Sequence, residues 1–398
     1  MSKIRFKGFE HSLKRKQIGE ITTSFSGGTP STKEPIFWNG TIPWIQTSDI
    51  QKDKLFGVKP QKFVSNKGLE NSSAKLIPKN SIAIVTRVGV GKLAIIDQEY
   101  TTSQDFLSLS DFNEDTHFLV YSIYKMLQKE SAQLQGTSIK GITKDDLLSK
   151  KINLPEIEEQ SAIGSLFRTL DELLASYKVN LTNYQSLKAT MLSKMFPKAG
   201  QTVPEIRLDG FEGEWEVVNL GTLIDNYDEI ISGESGFPIA TSSRKGLYLQ
   251  NDYFEGGRTG IDLTLDFHRV PMGYVTYRHM SDDSIFKFNK NNFETDVLVS
   301  KEYPVFISNG SSDIDFLLYH LNNSRLFLRF STMQKLGGTR VRLYYKNLIT
   351  YKLAVPTVKE QQAIGAYFSN LDNLINSYQE KISQLETLKK KLLQDMFI

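Results

Sequence analysis

The stretch Gly89-Val90-Gly91-Lys92 is the chain's nearest approach to the phosphate cradle of a nucleotide hydrolase. It lacks the first glycine at P-loop spacing, and Leu93 stands where a Ser or Thr would hold magnesium, so it reads as a hairpin turn. The five histidines, His11, His117, His268, His279 and His320, show neither H-x-x-x-H nor H-E-x-x-H spacing, and there is no cysteine, so no metal site is expected. Ile231-Ser232-Gly233 lacks the preceding glycine of a nucleophile elbow. Nor is there an Asn-Pro-Pro-aromatic or Asp-Pro-Pro-aromatic tetrapeptide of the kind amino-methylating enzymes place beside a target base. The sequence carries no motif for chemistry of its own, and the expectation is a non-catalytic chain.

What remains is recognition by side chains. Arg87 and Lys92 flank the glycine turn, and basic groups on a tight turn reach a phosphate or a guanine edge; the alternative is a solvated hairpin tip. Gln46, Thr47, Ser48 and Asp49 follow Trp44 and can face a groove, while Trp44 itself reads as core. Residues 136–140 and 338–342 correspond at an offset of 202, and both place a basic residue at the same step, Lys140 and Arg342, with Arg340 beside the latter. These suit phosphate contact. Tyr277, Arg278 and His279 form a polar cluster ending a strand, a candidate for base reading.

The elements that position these groups emerge from an internal repeat. Residues 154–177, LPEIEEQSAIGSLFRTLDELLASY, return as VPTVKEQQAIGAYFSNLDNLINSY at 355–378, so that Pro155 answers Pro356 at an offset of 201. Glu159, Gln160, Ala162, Ile163, Gly164, Phe167, Leu170, Asp171, Leu173, Ser176 and Tyr177 each have an identical partner at that offset. A weaker echo at an offset of 202 joins Arg5, Gly8, Phe9, Glu10 and Gly19 to Arg207, Gly210, Phe211, Glu212 and Gly221. The chain is thus two copies of one plan, each a large segment followed by a short one: 1–155, 156–200, 201–355 and 356–398.

The short segments read as long helices entered through proline, where the missing N–H costs least and the acidic residues that follow suit the positive end of the dipole. Phe167, Leu170, Leu174, Tyr177, Leu181 and Tyr184 recur at steps of three and four, as do Phe368, Leu371, Ile375, Tyr378, Ile382 and Leu385. That is a coiled-coil seam, interrupted by a polar step at Lys188 and at Lys389. Forty helical residues rise about 60 Å, so antiparallel pairing needs no long return connection. The large segments mix short strands with few helices: 81–98 reads as two strands around the glycine turn, 273–280 and 296–307 as strands, 121–135 and 316–334 as helices. The expected fold class is α+β, two globular domains separated by two antiparallel helices with an internal pseudo-two-fold.

The net charge of +3 is unevenly divided. Residues 1–155 carry 22 Lys and Arg against 15 Asp and Glu, whereas 201–355 carry 16 against 20. The first domain has the basic balance of a nucleic-acid binder, and the second can meet a polyanion only through a local patch. A cysteine-free chain of 398 residues fits a reducing cytoplasm, and nothing in it reads as a signal peptide or a membrane span.

The repeated Leu-Pro-(x)3-Glu-Gln-x-x-Ile at 154–163, with its second copy from Val355, resembles the conserved regions of type I restriction-modification specificity (S) subunits. So do Ser26-Gly-Gly-Thr-Pro, the run Phe37-Trp-Asn-Gly-Thr-Ile-Pro-Trp-Ile45, Thr241-Ser-Ser with Gly246 and Gln250, and Val299-Ser-Lys-Glu-Tyr-Pro-Val305. The likeness spans the whole chain. It implies a subunit that neither cuts nor methylates: two target-recognition domains on double-stranded DNA, one per half of a split site, with the helices fixing the spacer. It also implies two methyltransferase (M) subunits and restriction (R) subunits as partners, with S-adenosylmethionine, ATP and Mg2+ on those partners and no cofactor on this chain. The competing readings are a specificity subunit of a related system that cuts on both sides of its site, and a coiled-coil scaffold that binds no DNA.

Overall fold

The computed structural model describes residues 4–87, 89–133, 141–253, 262–335 and 340–397. The chain forms two compact units, residues 1–178 with 380–398, and residues 179–379.

In the first unit, a four-stranded antiparallel sheet runs in the order Thr23–Ser26, Phe106–Ser110, Ser81–Val85, Leu93–Ile96. Ser81–Val85 is buried on both faces, which explains its unbroken apolar run. Ile82 and Ile84 pack with Leu107, Leu109 and the helix Thr116–Gln133, while Ala83 and Val85 pack on the other side with Ile45, Tyr100 and Phe106. Ile42–Ile45 forms a second, mixed sheet between Lys62–Val64 and Thr101–Thr102. Lys14–Gln17 pairs antiparallel with Lys151–Leu154, which leads into the first long helix, Ile157–Lys194.

The second unit repeats this plan. Its four-stranded sheet is Ile224–Tyr227, Val305–Ser308, Val275–Tyr277, Phe288–Lys290. Ile230–Ser232, Asp266–Val270 and Val297–Ser300 form a three-stranded sheet, so the stretch read as strand at 296–307 divides between two sheets. Glu216–Asn219 pairs with Lys352–Val355 ahead of the second long helix, Val358–Met396. The stretch read as one helix at 316–334 is two, Ile314–Asn323 and Arg325–Met333. Ser324 ends the first and caps the second, its hydroxyl accepting from the N–H groups of Leu326 and Phe327 at 3.1 and 3.3 Å.

The residues repeated at 201 are those that lock each long helix to its domain. Glu159, 1% exposed, takes Nε and NH2 of Arg5 at 2.9 and 2.5 Å; Glu360 takes the same atoms of Arg207 at 2.7 Å each. Gln160 Oε1 accepts from the Asp115 N–H at 3.1 Å and its amide donates to the Pro155 carbonyl at 3.0 Å; Gln361 does both with Asp313 and Pro356. Asp115 and Asp313 in turn cap the next helix through Phe118 and Phe316, each at 2.8 Å. Gly164 lies against that cap: a Cβ there would meet Asp115 Oδ1 at 2.5 Å and the Phe118 nitrogen at 2.9 Å.

The long helices pack on each other within each unit. In the first, Ile163, Phe167 and Leu170 near the start of one meet Leu393, Met396 and Phe397 at the end of the other; in the second, Met195 and Phe196 meet Ile364, Phe368 and Leu371. Start therefore meets end, which is antiparallel pairing. Leu174, Ile375 and Ile382 are buried, Tyr177, Leu181 and Leu385 half-buried, and the Tyr184 and Tyr378 rings stack at 5.5 Å. The stripe does more than the seam reading gave it, because Phe167 and Phe368 also enter the domain cores, 5.1 Å from Tyr121 and 5.0 Å from Tyr319.

The polar steps in the seam are engaged too. Lys389 pairs with Asp171, and Asp171 also accepts from the Tyr121 hydroxyl at 2.5 Å. At the related place Lys188 pairs with Asp372, which accepts from Tyr319 at 2.8 Å. Each ammonium lies over its tyrosine ring, at 5.6 and 5.5 Å.

Candidate nucleic-acid interface

The hairpin between Ser81–Val85 and Leu93–Ile96 closes through Val85 N–H to the Lys92 carbonyl at 2.8 Å and Gly91 N–H to the Val85 carbonyl at 3.2 Å. Gly89 and Gly91 take φ of +88° and +91°, the left-handed conformation that glycine accepts without steric cost. A Cβ on Gly89 would stand 3.1 Å from Thr47 Cγ2, so the turn rests on the segment after Trp44. That segment is a 3-10 turn, Thr47–Asp49, held by the Gln46 N–H donating to Asp49 Oδ2 at 3.1 Å. Thr47 Oγ1 and Asp49 Oδ1 are buried without a partner. Gln46 and Thr47 are half-buried; Ser48 and Arg87 are exposed. At the hairpin base the Ile142 N–H donates to the Thr86 carbonyl at 2.8 Å.

Gln46, Thr47, Ser48, Arg87 and Lys92 are therefore brought to one tip, and their neighbourhood mixes guanidinium, ammonium, amide and hydroxyl groups, the set that contacts phosphates and base edges. Lys140 lies outside the described residues. The turn borders a cleft of about 1880 Å³ whose other walls come from the helix Thr116–Gln133 and the two long helices.

In the second unit the strand cluster divides between core and surface. Tyr277 is 0% exposed, packs on Phe288 at 4.7 Å and donates its hydroxyl to the Leu343 carbonyl at 3.0 Å. It belongs to the core and presents nothing to a base, which corrects its reading as an interface residue. His279 is buried as well, stacked on Tyr344 at 5.5 Å, and burial lowers its pKa. Arg278, just past the end of the strand Val275–Tyr277, is the member of the trio left exposed.

Arg340 and Arg342 are both exposed, on a two-stranded pairing of Val341–Arg342 with Met280–Ser281. Arg340 Nε donates to Asp282 at 2.8 Å. A hollow of about 430 Å³ gathers Arg340 and Arg278 with Arg244, Lys245 and Lys287. Arg244 grips Asp283 at 2.5 and 2.8 Å and holds that carboxyl down to about 2. Sequence reasoning missed Arg244 and Lys245. The available signal was a basic pair before Gly246, at the turn between strands Ala240–Ser243 and Gly246–Leu249. Exposed pairs of this kind contribute roughly 0–1 kcal/mol, so an incoming phosphate can displace the carboxylates.

Among the described residues no group of three or more His, Cys, Asp or Glu is placed to hold a metal ion. No described helix is long and apolar enough to cross a membrane.

The family model for the type I restriction modification DNA specificity domain matches residues 12–183 and 247–387, well over half of the chain. The EcoR124I/EcoR124II specificity subunit of Escherichia coli is 33% identical over 178 residues, 42% of this chain and 43% of that one. The MjaVIII specificity subunit of Methanocaldococcus jannaschii is 24% identical over 403 residues, covering 95% and 90%. The matches cover only 43%, 54% and 64% of three of the relatives. A crystal structure of the S subunit from M. genitalium has the same fold, at a TM-score of 0.59 and 15% identity over 100% of this chain and 99% of that one. With the twice-repeated domain-and-helix plan already in view, the family match places the chain among the type I restriction-modification DNA specificity proteins.

Proposed function

We propose that this chain is the non-catalytic recognition subunit of a type I restriction-modification complex, binding a bipartite site on double-stranded DNA. Each domain reads one half-site, through the tip at Gln46–Ser48, Arg87 and Lys92 in the first and through Arg278, Arg340, Arg342 and Arg244 in the second. The long helices set the spacer. The observation that carries this reading is one frame built twice, with two chemically unlike polar surfaces on it. Two methyltransferase subunits suit such a frame, since two-fold-related surfaces bind identical partners equivalently. Leu187 and Leu388, related by the 201-residue offset, both stand exposed on the long helices and fit that role. Restriction subunits join the same assembly, which acts in the cytoplasm. S-adenosylmethionine, ATP and Mg2+ belong to those partners.

Methylome sequencing of a host carrying this chain and its methyltransferase tests the proposal. The expected result is one split motif with a fixed spacer. A single uninterrupted motif, or no new methylation, would refute it. Deleting residues 174–180 together with 375–381 keeps the seam in phase and should shorten the spacer by about three base pairs, since seven residues rise roughly 10 Å.

A further inference from the structure

On the wall of the large cleft facing the Gly89 turn, Lys125 and Lys129 of the helix Thr116–Gln133 stand with Lys390 of the second long helix. No carboxylate pairs with any of the three among the described residues. Five of the seven carboxylates lining the cleft are engaged elsewhere: Asp53 by the Tyr124 hydroxyl, Asp115 by the helix cap, Asp171 by Lys389, Glu172 by Arg168 and Glu386 by Lys178; the other two, Asp97 and Glu114, form no ion pair with the three lysines. Lys125 is half-buried, and its pKa is lowered by burial and then by the positive charges of Lys129 and Lys390. Three like charges held together without a counter-charge destabilise one another, so a fold that keeps them gains when an anion arrives.

The repeat shows that the frame does not need them. Counting on from the equivalence of Tyr121 with Tyr319, the second unit has Asn323 in place of Lys125, and its helix breaks at Ser324 before the step of Lys129, where the count falls on buried Phe327 rather than a cation. Lys390 answers to Ala189. All three cations are absent from the second copy, although the adjoining Lys389 is matched by Lys188. A partner that binds both copies alike would call for the cluster twice.

We propose that Lys125, Lys129 and Lys390 form a phosphate-binding site for the DNA backbone, placed once per chain beside the half-site read by the Gly89 turn. This rests on the DNA reading above and adds a sequence-independent anchor to it. The anchor acts only on the first half-site, so the two halves of the site differ in their share of electrostatic affinity.

The test is the salt dependence of DNA binding by the complete complex of this chain with its methyltransferase. Each lost phosphate contact flattens the plot of log K against log salt by about 0.9. The triple variant Lys125→Gln, Lys129→Gln, Lys390→Gln should therefore lower the slope by roughly 2–3, equally on a cognate and an unrelated duplex, with the methylated motif unchanged. The double variant at exposed Lys129 and Lys390 should lower it by about 1–2 and guards against a folding defect at Lys125. An unchanged slope in an intact complex overturns the site. So does failure of the folded variant to join the methyltransferase, which would assign the lysines to a protein contact. If the wild-type complex prefers no duplex, the DNA reading itself has failed, and that control is measured first.

Discussion

Asp171 offers the sharpest test of how the long helices are held. Its carboxylate carries the Lys389 ammonium and the Tyr121 hydroxyl, and the pair is well covered, Asp171 at 22% and Lys389 at 14% side-chain exposure. The twin is more open, with Asp372 at 35% and Lys188 at 24%. Fully buried pairs lose roughly 3–5 kcal/mol when one partner is removed, and exposed ones contribute about 0–1. Asp171→Asn should cost about 2 kcal/mol and Asp372→Asn about 1, since Asn keeps an acceptor for tyrosine but strands the ammonium. For a unit of about 200 residues these correspond to drops in Tm of roughly 4–8 °C and 2–4 °C. A double-mutant cycle of Asp171→Asn with Lys389→Met, followed by calorimetry of the first unit's transition, should return a coupling of about 1–2 kcal/mol. A coupling below roughly 0.3 kcal/mol, or a larger loss at Asp372 than at Asp171, would refute the view that burial sets the strength of these contacts.

Removing Arg5 or Arg207 should be harsher still: Arg5→Gln leaves Glu159 buried and unpaired, at about 3 kcal/mol or more in urea unfolding, and Lys will not restore the two-pronged contact. Gly164→Ala should destabilise by about 1–3 kcal/mol despite alanine's better helix propensity, because its Cβ meets Asp115 Oδ1 at 2.5 Å. His320, buried with Nε2 on the Tyr351 hydroxyl at 2.8 Å, has its pKa lowered by burial to about 4. The unfolded chain protonates near 6.5 and the folded one does not, so stability present above that pH falls as pH drops toward 4, by about 3 kcal/mol. His320→Leu should flatten the second unit's pH–stability curve between those limits. Exchanging residues 1–151 for those of a relative should change one half-site in the methylome and leave the other.

The frame was legible because its repeated residues are bound by geometry. Glu159, Gln160, Gly164, Phe167 and Asp171 each have one contact that another side chain cannot reproduce, so both copies keep them and the offset is visible. The interface was harder to see. Tyr277 and His279 look polar in sequence, yet a short strand buried on both faces draws an aromatic ring inward wherever its polar tip finds a partner, as Tyr277 does at Leu343. Arg244 and Lys245 escaped notice because the Ala240–Ser243 hairpin has too few apolar residues to announce itself. The break at Ser324 was hidden for a related reason, since serine is tolerated within a helix and its capping role depends on backbone direction. Lys188 and Lys389 read as interruptions of the seam, and only the folded chain shows the aspartates that answer them.

The division between what repeats and what differs also explains how one frame carries two unlike readers. Every interlocking contact described above joins a long helix to the segment at Arg5 or Arg207, to the capped helix behind the sheet, or to the other long helix. None involves residues 46–48, the 86–92 turn, the 244–246 turn or the 278–282 segment. Substitutions of exposed tip side chains such as Ser48, Arg87, Arg244 and Arg278 therefore leave the buried carboxylates paired and the glycine contacts intact, and their effect on stability stays within the roughly ±0.5 kcal/mol typical of surface positions. The Lys125 cluster follows the same logic, because its absence from the second unit, where Asn323 and Ala189 stand for Lys125 and Lys390, leaves the neighbouring Lys188–Asp372–Tyr319 contact in place. Recognition chemistry can change on one half while the antiparallel helices hold their register.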